Sequence, residues 1–202
     1  MSTAENFLAT TRRSDRANEI LEVAARLFYE RDYNSVGMRL IAQEAGVRGA
    51  SLYHHFHSKE EMLYEIILEV TSDFITDRLH ILEIEDGFAT RLGDLVEEHI
   101  LYFWEHRVAL QVGFREMHNL APQHYAEVHK QRLRYQHRIQ DFIEAGKKAG
   151  VFTCEDSRLA GMALLNMVNG INDWFVPDRP LSIQQLAKKY RQLVLASLGE
   201  KK

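Results

Sequence analysis

The chain has 202 residues, 46% of them apolar, a formal charge of -4 and one cysteine. That apolar share excludes a disordered polymer, no apolar run approaches the ~20 residues of a membrane span, and the lone Cys154 excludes an intrachain disulfide. A net-acidic chain cannot coat nucleic acid over its whole surface, so any DNA contact must come from a locally basic patch.

In chain order, Met1 to Thr11 is polar and lacks the apolar core of a secretory signal, which makes the cytoplasm the expected compartment. A first helix is expected over 14–31, with Ile20, Ala24, Leu27 and Phe28 on one face and Ser14 or Asp15 as its N-cap. Asp32 to Val36 breaks it. A second helix over 38–45 turns Ile41 and Ala45 inward, and Gly46 ends it. A third, over 49–55, places Leu52 and Phe56 on a buried side. Ser58 then caps a fourth helix, with Glu61 as capping-box partner and a core face of Met62, Ile66, Val70 and Phe74 or Ile75, running to about 83. Further helices are expected over 89–106, 108–119, 122–149, 156–175 and 182–198. Gly150 stops one of these, and Pro177 with Pro180 separates the last two. The expected fold is all-α: a three-helix DNA-binding domain over 1–57, then a helical bundle over 58–202 for effector binding and dimerisation.

The segment 33–63 carries the chemistry. Two short helices meet at Ala45-Gly46-Val47, which supplies the small residue, the glycine and the buried aliphatic that a helix-turn-helix needs. Between Val36 and Lys59 the charged residues are Arg39, Arg48 and Lys59 against Glu44 alone, with His54, His55 and His57 interleaved. A solvated charged face is the bland alternative; the order of the motifs favours phosphate neutralisation. Adjacent histidines on a helix point about 100° apart, and no carboxylate or cysteine joins them, so no metal site is expected.

The run Ile41-Ala42-Gln43-Glu44-Ala45-Gly46-Val47, followed by Ser51-Leu52-Tyr53-His54-His55-Phe56-His57-Ser58-Lys59-Glu60-Glu61-Met62-Leu63, resembles the tetracycline-repressor (TetR) family. Ala24-Ala25-Arg26-Leu27-Phe28 and the following Tyr33 fit the same pattern. The resemblance is close over 14–70 and architectural beyond. It implies that Tyr53 and Lys59 contact phosphates, which orients the protein without reading sequence. It also implies that Arg48, Gly49, Ala50, Ser51 and His54 meet base edges, with Arg48 bidentate to a guanine and the Ala50 methyl against a thymine methyl. A half-buried packing role is the alternative for Tyr53. Two positions depart from the pattern. Gly37 stands where a capping hydroxyl also touches phosphate, leaving Ser35 or Arg39 to replace that contact. Asp32 stands where glycine is common, tolerable because Asp visits left-handed backbone.

The family implies a dimer on a palindromic double-stranded operator, released by a small-molecule effector. Trp104, Phe114, Met117, Arg134, Arg138, Asn166, Asn169, Asp173 and Trp174 are the candidate effector residues, with plain core packing as the alternative for the apolar ones. His129, Lys130, Arg132, Arg134, His137 and Arg138 form either a solvated face or a site for an anionic effector. Asn166, Asn169 and Asn172 sit three apart on an apolar helix, so ligand, dimer partner or water must satisfy them. Leu164, Met167, Val168 and Ile171 make one candidate dimer stripe, and Ile183, Leu186, Tyr190, Leu193 and Val194 another; packing within one subunit is the alternative. The run Asp173-Trp174-Phe175-Val176-Pro177-Asp178-Arg179-Pro180-Leu181-Ser182 resembles a branch regulating lipid, steroid or aromatic-acid catabolism, whose effectors are often acyl-CoA thioesters. An acyl-CoA or related acyl effector follows; an uncharged or cationic lipophile, met by Glu116 or Asp173, is the alternative. No nucleophile–base–acid set, phosphate loop or Glu-x-x-His pair is present, so no enzyme, cofactor or membrane partner is expected.

Overall fold

Ser14 caps the first described helix: its hydroxyl accepts the Ala17 N–H at 3.3 Å, as an N-cap serine does. A computed structural model describes residues 13–176 and 181–199; the segment Met1 to Thr11 and the separators Pro177 and Pro180 lie outside the described residues. The α-helices are α1 (Asp15–Glu30), α2 (Met38–Glu44), α3 (Gly49–His55), α4 (Lys59–Leu79), α5 (Phe88–Glu105), α6 (Arg107–Glu116), α7 (Pro122–Lys148), α8 (Ser157–Asn169), α9 (Ile171–Trp174) and α10 (Ile183–Ser197). They form two compact units: residues up to 73 with 106–130, and 74–105 with residues from 131 onward.

In the first unit, α1 buries Ile20, Leu21, Ala24, Ala25, Leu27 and Phe28. Tyr33 closes on Phe28 edge to face at 5.1 Å. Asp32 does not adopt the left-handed backbone expected of it. It sits at φ -64°, and its carboxylate accepts the Asn34 N–H at 2.9 Å; the position caps a 3₁₀ turn over Tyr33–Ser35 instead of reversing the chain. The end of α1 is held from α6. Arg115 donates to the carbonyl of Phe28 and, at 3.3–3.4 Å, to those of Tyr29 and Arg31, satisfying acceptors that a helix C-terminus leaves open.

The α2–α3 turn follows from one glycine. Gly46 takes φ +62°; its N–H reaches the Gln43 carbonyl at 3.1 Å, and the Val47 N–H reaches Ala42 at 2.9 Å. These are the two bonds of a Schellman stop. Ile41 and Ala42 face inward, while Ala45, expected there, is half-buried because it already belongs to the turn. At the start of α4, Ser58 accepts the Glu61 N–H at 3.0 Å, but the Glu61 carboxylate takes the His57 N–H at 2.6 Å, one residue outside a standard capping box. Met62, Leu63, Ile66, Ile67 and Val70 make its buried side.

In the second unit, Arg191 of α10 pairs with Asp94 and, at 3.1 Å, with Glu97 of α5. Gly93 leaves room for it, since a Cβ there would lie 2.6 Å from the Arg191 Nε. Gly150 at φ +77° stops α7 as expected. The single helix expected over 156–175 is divided: α8 ends at Asn169 and α9 starts at Ile171, with Gly170, a poor helix residue, between them. Ser182 and Gln185 form a full capping box at the start of α10.

The expected dimer stripes are only partly open to a partner. Leu164, Val168, Ile171, Leu186 and Val194 are buried by their own chain and so offer little surface to a partner. Met167, Ile183 and Tyr190 are half-buried, and Leu193 is 53% exposed. The large apolar side chains exposed on α8 are instead Leu159, at 64%, and Met162. No helix among the described residues is long and apolar enough to cross a membrane.

Gly46→Ala should lower thermal stability by about 1 kcal/mol, or ~2–4 °C, because an L-residue is strained at this φ. Gly49→Ala meets no atom within 4 Å and should leave the melting temperature unchanged or raised; circular-dichroism melts of both variants check this.

Candidate functional site

α3 is too short to be stable by itself and stays in place through its inner face. Leu52 is fully buried and Phe56 nearly so. The opposite face is open: Gly49, Ala50, Ser51, Tyr53 and His54 are exposed, with Arg48 exposed at the N-cap. Tyr53 is 54% exposed, which sets aside a packing role for it. Arg16 of α1 donates to the Ala45 carbonyl at 2.8 Å, tying α1 to the turn that aims α3.

Gly37 caps α2 without a side-chain hydrogen bond. Of its two candidate replacements, Ser35 spends its hydroxyl on the Asp32 carbonyl at 2.7 Å, whereas Arg39 is exposed on α2. Lys59 is more constrained than expected. Its ammonium donates to the Tyr33 carbonyl at 2.7 Å and lies 3.9 Å above the Tyr33 ring. Burial pulls its pKa below the ordinary lysine value, opposed by Asp32 and Glu116. Burial, then Glu60 and Glu116, push the Tyr33 phenol up to about 12. His54 and His55 meet edge to face at 5.6 Å, and no group of histidine, cysteine or carboxylate side chains among the described residues is placed to hold a metal ion.

The expected effector residues are divided between the two units. Phe114 and Met117 belong to the first unit, Phe114 exposed and Met117 buried. Glu116, considered as the acid for a cationic ligand, already accepts from Arg115 at 2.7 Å and Asn119 at 3.0 Å. An open cleft of about 430 Å³ beside it is lined by Tyr29, Arg31, Asp32, Arg115, Glu116 and His118, among others. In the second unit, Arg134 and Arg138 are exposed, and Arg138 pairs with Glu83 at 2.6 Å. Asn166 folds back onto the Met162 carbonyl at 2.8 Å, and Asp173 is exposed. Trp104 and Trp174 both meet Phe175, at 5.1 and 6.1 Å between ring centroids.

Asn169 is different. Its Oδ1 lies 2.9 Å from Nε2 of His99, whose Nδ1 lies 3.2 Å from the Tyr135 hydroxyl. Phe74 and Phe103 pack on the His99 ring at 4.7 and 4.1 Å. Neither His99 nor Tyr135 is among the expected effector residues. The available signal was a histidine at helical spacing among Leu92, Val96, Ile100 and Phe103, a position that requires a polar partner when buried. Burial drives the His99 pKa down to about 3, only partly opposed by the Asn169 hydrogen bond, so the imidazole is neutral at physiological pH. The same burial raises the Tyr135 phenol.

A recognition helix with one side sunk in a small core and the other open defines a helix-turn-helix DNA-binding regulator. The profile for bacterial regulatory proteins of the tetR family matches residues 20–66, and the tetracyclin repressor-like C-terminal domain matches residues 85–198. The chain is 28% identical over 192 residues to the HTH-type transcriptional repressor KstR2 of Rhodococcus jostii, covering 94% of both. Among solved structures, PfmR from Thermus thermophilus is 35% identical, covers 89% of this chain and 98% of its own, and superimposes with a TM-score of 0.82. AibR in complex with isovaleryl coenzyme A and operator DNA is 25% identical, with coverages of 93% and 100% and a TM-score of 0.81. The chain belongs to the TetR family and is a DNA-binding transcriptional regulator, not an enzyme.

The His99 value predicts a pH effect. Between about 6.5, its ordinary value, and about 3 in the fold, the unfolded chain binds the proton more readily. The stability His99 contributes is therefore complete above this window and lost as pH falls through it. Melting temperature should drop on acidification to pH ~4, and less steeply in His99→Gln than in the parent.

Proposed function

We propose that the chain is a ligand-responsive repressor that binds a palindromic operator as a homodimer and leaves it when an acyl-CoA or related acyl metabolite binds. The observation that carries the DNA reading is the open face of α3 opposite its Leu52 and Phe56 anchors. Arg48, Gly49, Ala50, Ser51 and His54 meet base edges in the major groove, and Tyr53 and Arg39 hold the flanking phosphates. Arg39 takes the place of the hydroxyl that Gly37 lacks. Lys59 reaches its phosphate while still held by Tyr33, since an ammonium has three donors and one suffices for the carbonyl.

Two recognition helices must lie about 34–36 Å apart to reach successive major grooves, which calls for a second copy. The exposed apolar side chains Leu159 and Met162 on α8 and Leu193 on α10 supply its contact surface, with Met167 and Tyr190 at the margin. The acyl effector is supported by the likeness to AibR, solved with isovaleryl coenzyme A and operator DNA, and by the apolar and aromatic core of the second unit. A cationic lipophile is less well served, because Glu116 is already paired and Asp173 is exposed. Release requires the effector to bind the DNA-incompetent conformation more tightly than the competent one.

Two measurements test this reading. Lys59→Met should weaken binding to all DNA sequences alike and reduce the slope of log affinity against log salt by about one unit; a slope equal to the parent's removes Lys59 from the interface. Acyl-CoA thioesters should raise the melting temperature and lower operator affinity in fluorescence anisotropy, and a panel that changes neither contradicts the acyl assignment.

A further inference from the structure

The second unit has a polar chain in the middle of an aromatic core. Tyr135 of α7, His99 of α5 and Asn169 of α8 are linked end to end by two hydrogen bonds, with Phe74 packed on His99 and Tyr135 and Phe103 on His99. Apolar side chains would pack these helices without such a chain, and a buried polar network is worth keeping only when fully satisfied.

Its polarity is determined at every link. A neutral imidazole carries one N–H and one bare nitrogen. The Asn169 Oδ1 facing Nε2 can only accept, so Nε2 holds the proton. The bare Nδ1 then accepts, and the Tyr135 hydroxyl donates to it. With its oxygen facing His99, the amide turns its NH₂ group away from the ring. That nitrogen has no partner among the described residues, and Asn169 is only half-buried. Its place matters too, because Asn169 is the last residue of α8, immediately before the Gly170 break.

We propose that Asn169, oriented by His99 and Tyr135, is the hydrogen-bond donor that recognises a carbonyl group next to an apolar portion of the effector. The proposal rests on the reading of the chain as a ligand-responsive regulator and narrows the ligand to carbonyl-bearing compounds. Asn169 touches the ligand; His99 and Tyr135 are positioning residues. An ionised His99 would donate from both nitrogens and reverse the Tyr135 link, leaving the phenol to accept; the apolar cage around the ring favours the neutral form.

The test uses the full chain bound to operator DNA and two matched probe pairs. One is isovaleryl-CoA and its isopentyl thioether, which lacks the acyl carbonyl. The other is 1-indanone and indane. In the parent, the carbonyl member of at least one pair should bind more tightly by about fivefold, the worth of one hydrogen bond. Asn169→Leu should bring that member down to its partner's affinity while leaving the partner unchanged. Tyr135→Phe, which keeps the ring, should reduce the preference partway. Operator affinity without ligand shows that each variant is folded. A carbonyl preference that survives in Asn169→Leu overturns the proposal, as does the absence of any preference in both pairs. If the thioether and indane release DNA as well as the thioester and 1-indanone do, the proposal fails while the ligand-responsive reading stands. Should neither pair bind, the proposal and the acyl assignment fail together, and release of DNA by another compound class would still support a ligand-responsive regulator. If Asn169→Leu no longer binds operator, Tyr135→Phe decides: an undiminished carbonyl preference overturns the proposal.

Discussion

The DNA-binding end depends on the backbone at Gly46. A seven-residue helix such as α3 has little stability of its own, so its direction comes from what precedes it and what it sits on. Positive φ at Gly46 and the two bonds that close α2 determine where α3 starts, and Leu52 and Phe56 determine which side it shows. Arg16 adds a third restraint through the Ala45 carbonyl. The residues proposed to meet DNA are therefore free of structural duty, with the exception of Lys59.

The first unit is larger than its three reading helices. Arg115 and Glu116 at the end of α6 form a connected pair, the arginine on the final carbonyls of α1 and the buried carboxylate holding both that arginine and Asn119. A guanidinium suits this place because it can serve several carbonyls at once from a planar fork. Glu116 also acts on the charge states of Lys59 and Tyr33, so α6 residues influence a candidate phosphate contact.

Local signals were legible in the sequence. The Ser14 cap, the Gly46 and Gly150 stops, the Ser58 cap and the inward faces of α1, α3 and α4 all depend on neighbours within a few residues, and they stand as expected. Features that depend on distant partners were not legible. Apolar periodicity on α8 and α10 shows that a stripe is covered but not by which body, so Leu164, Val168, Ile171, Leu186 and Val194 read as a dimer face although their own chain buries them. Asp32 was assigned a backbone from its neighbours in the resembling family, whereas its carboxylate serves as a cap. Asn169 was singled out as an amide needing a partner; His99 lies 70 residues away, and spacing along the chain could not join them.

The most direct test of the account is methylation interference on DNA selected by the protein from a random pool. Methylation of guanine N7 blocks the major-groove edge that Arg48 is proposed to read. The account predicts that it abolishes binding at a guanine in each half-site, and that Arg48→Ala removes the interference at that position alone. Interference confined to minor-groove adenine N3, or an unchanged pattern in Arg48→Ala, would contradict it.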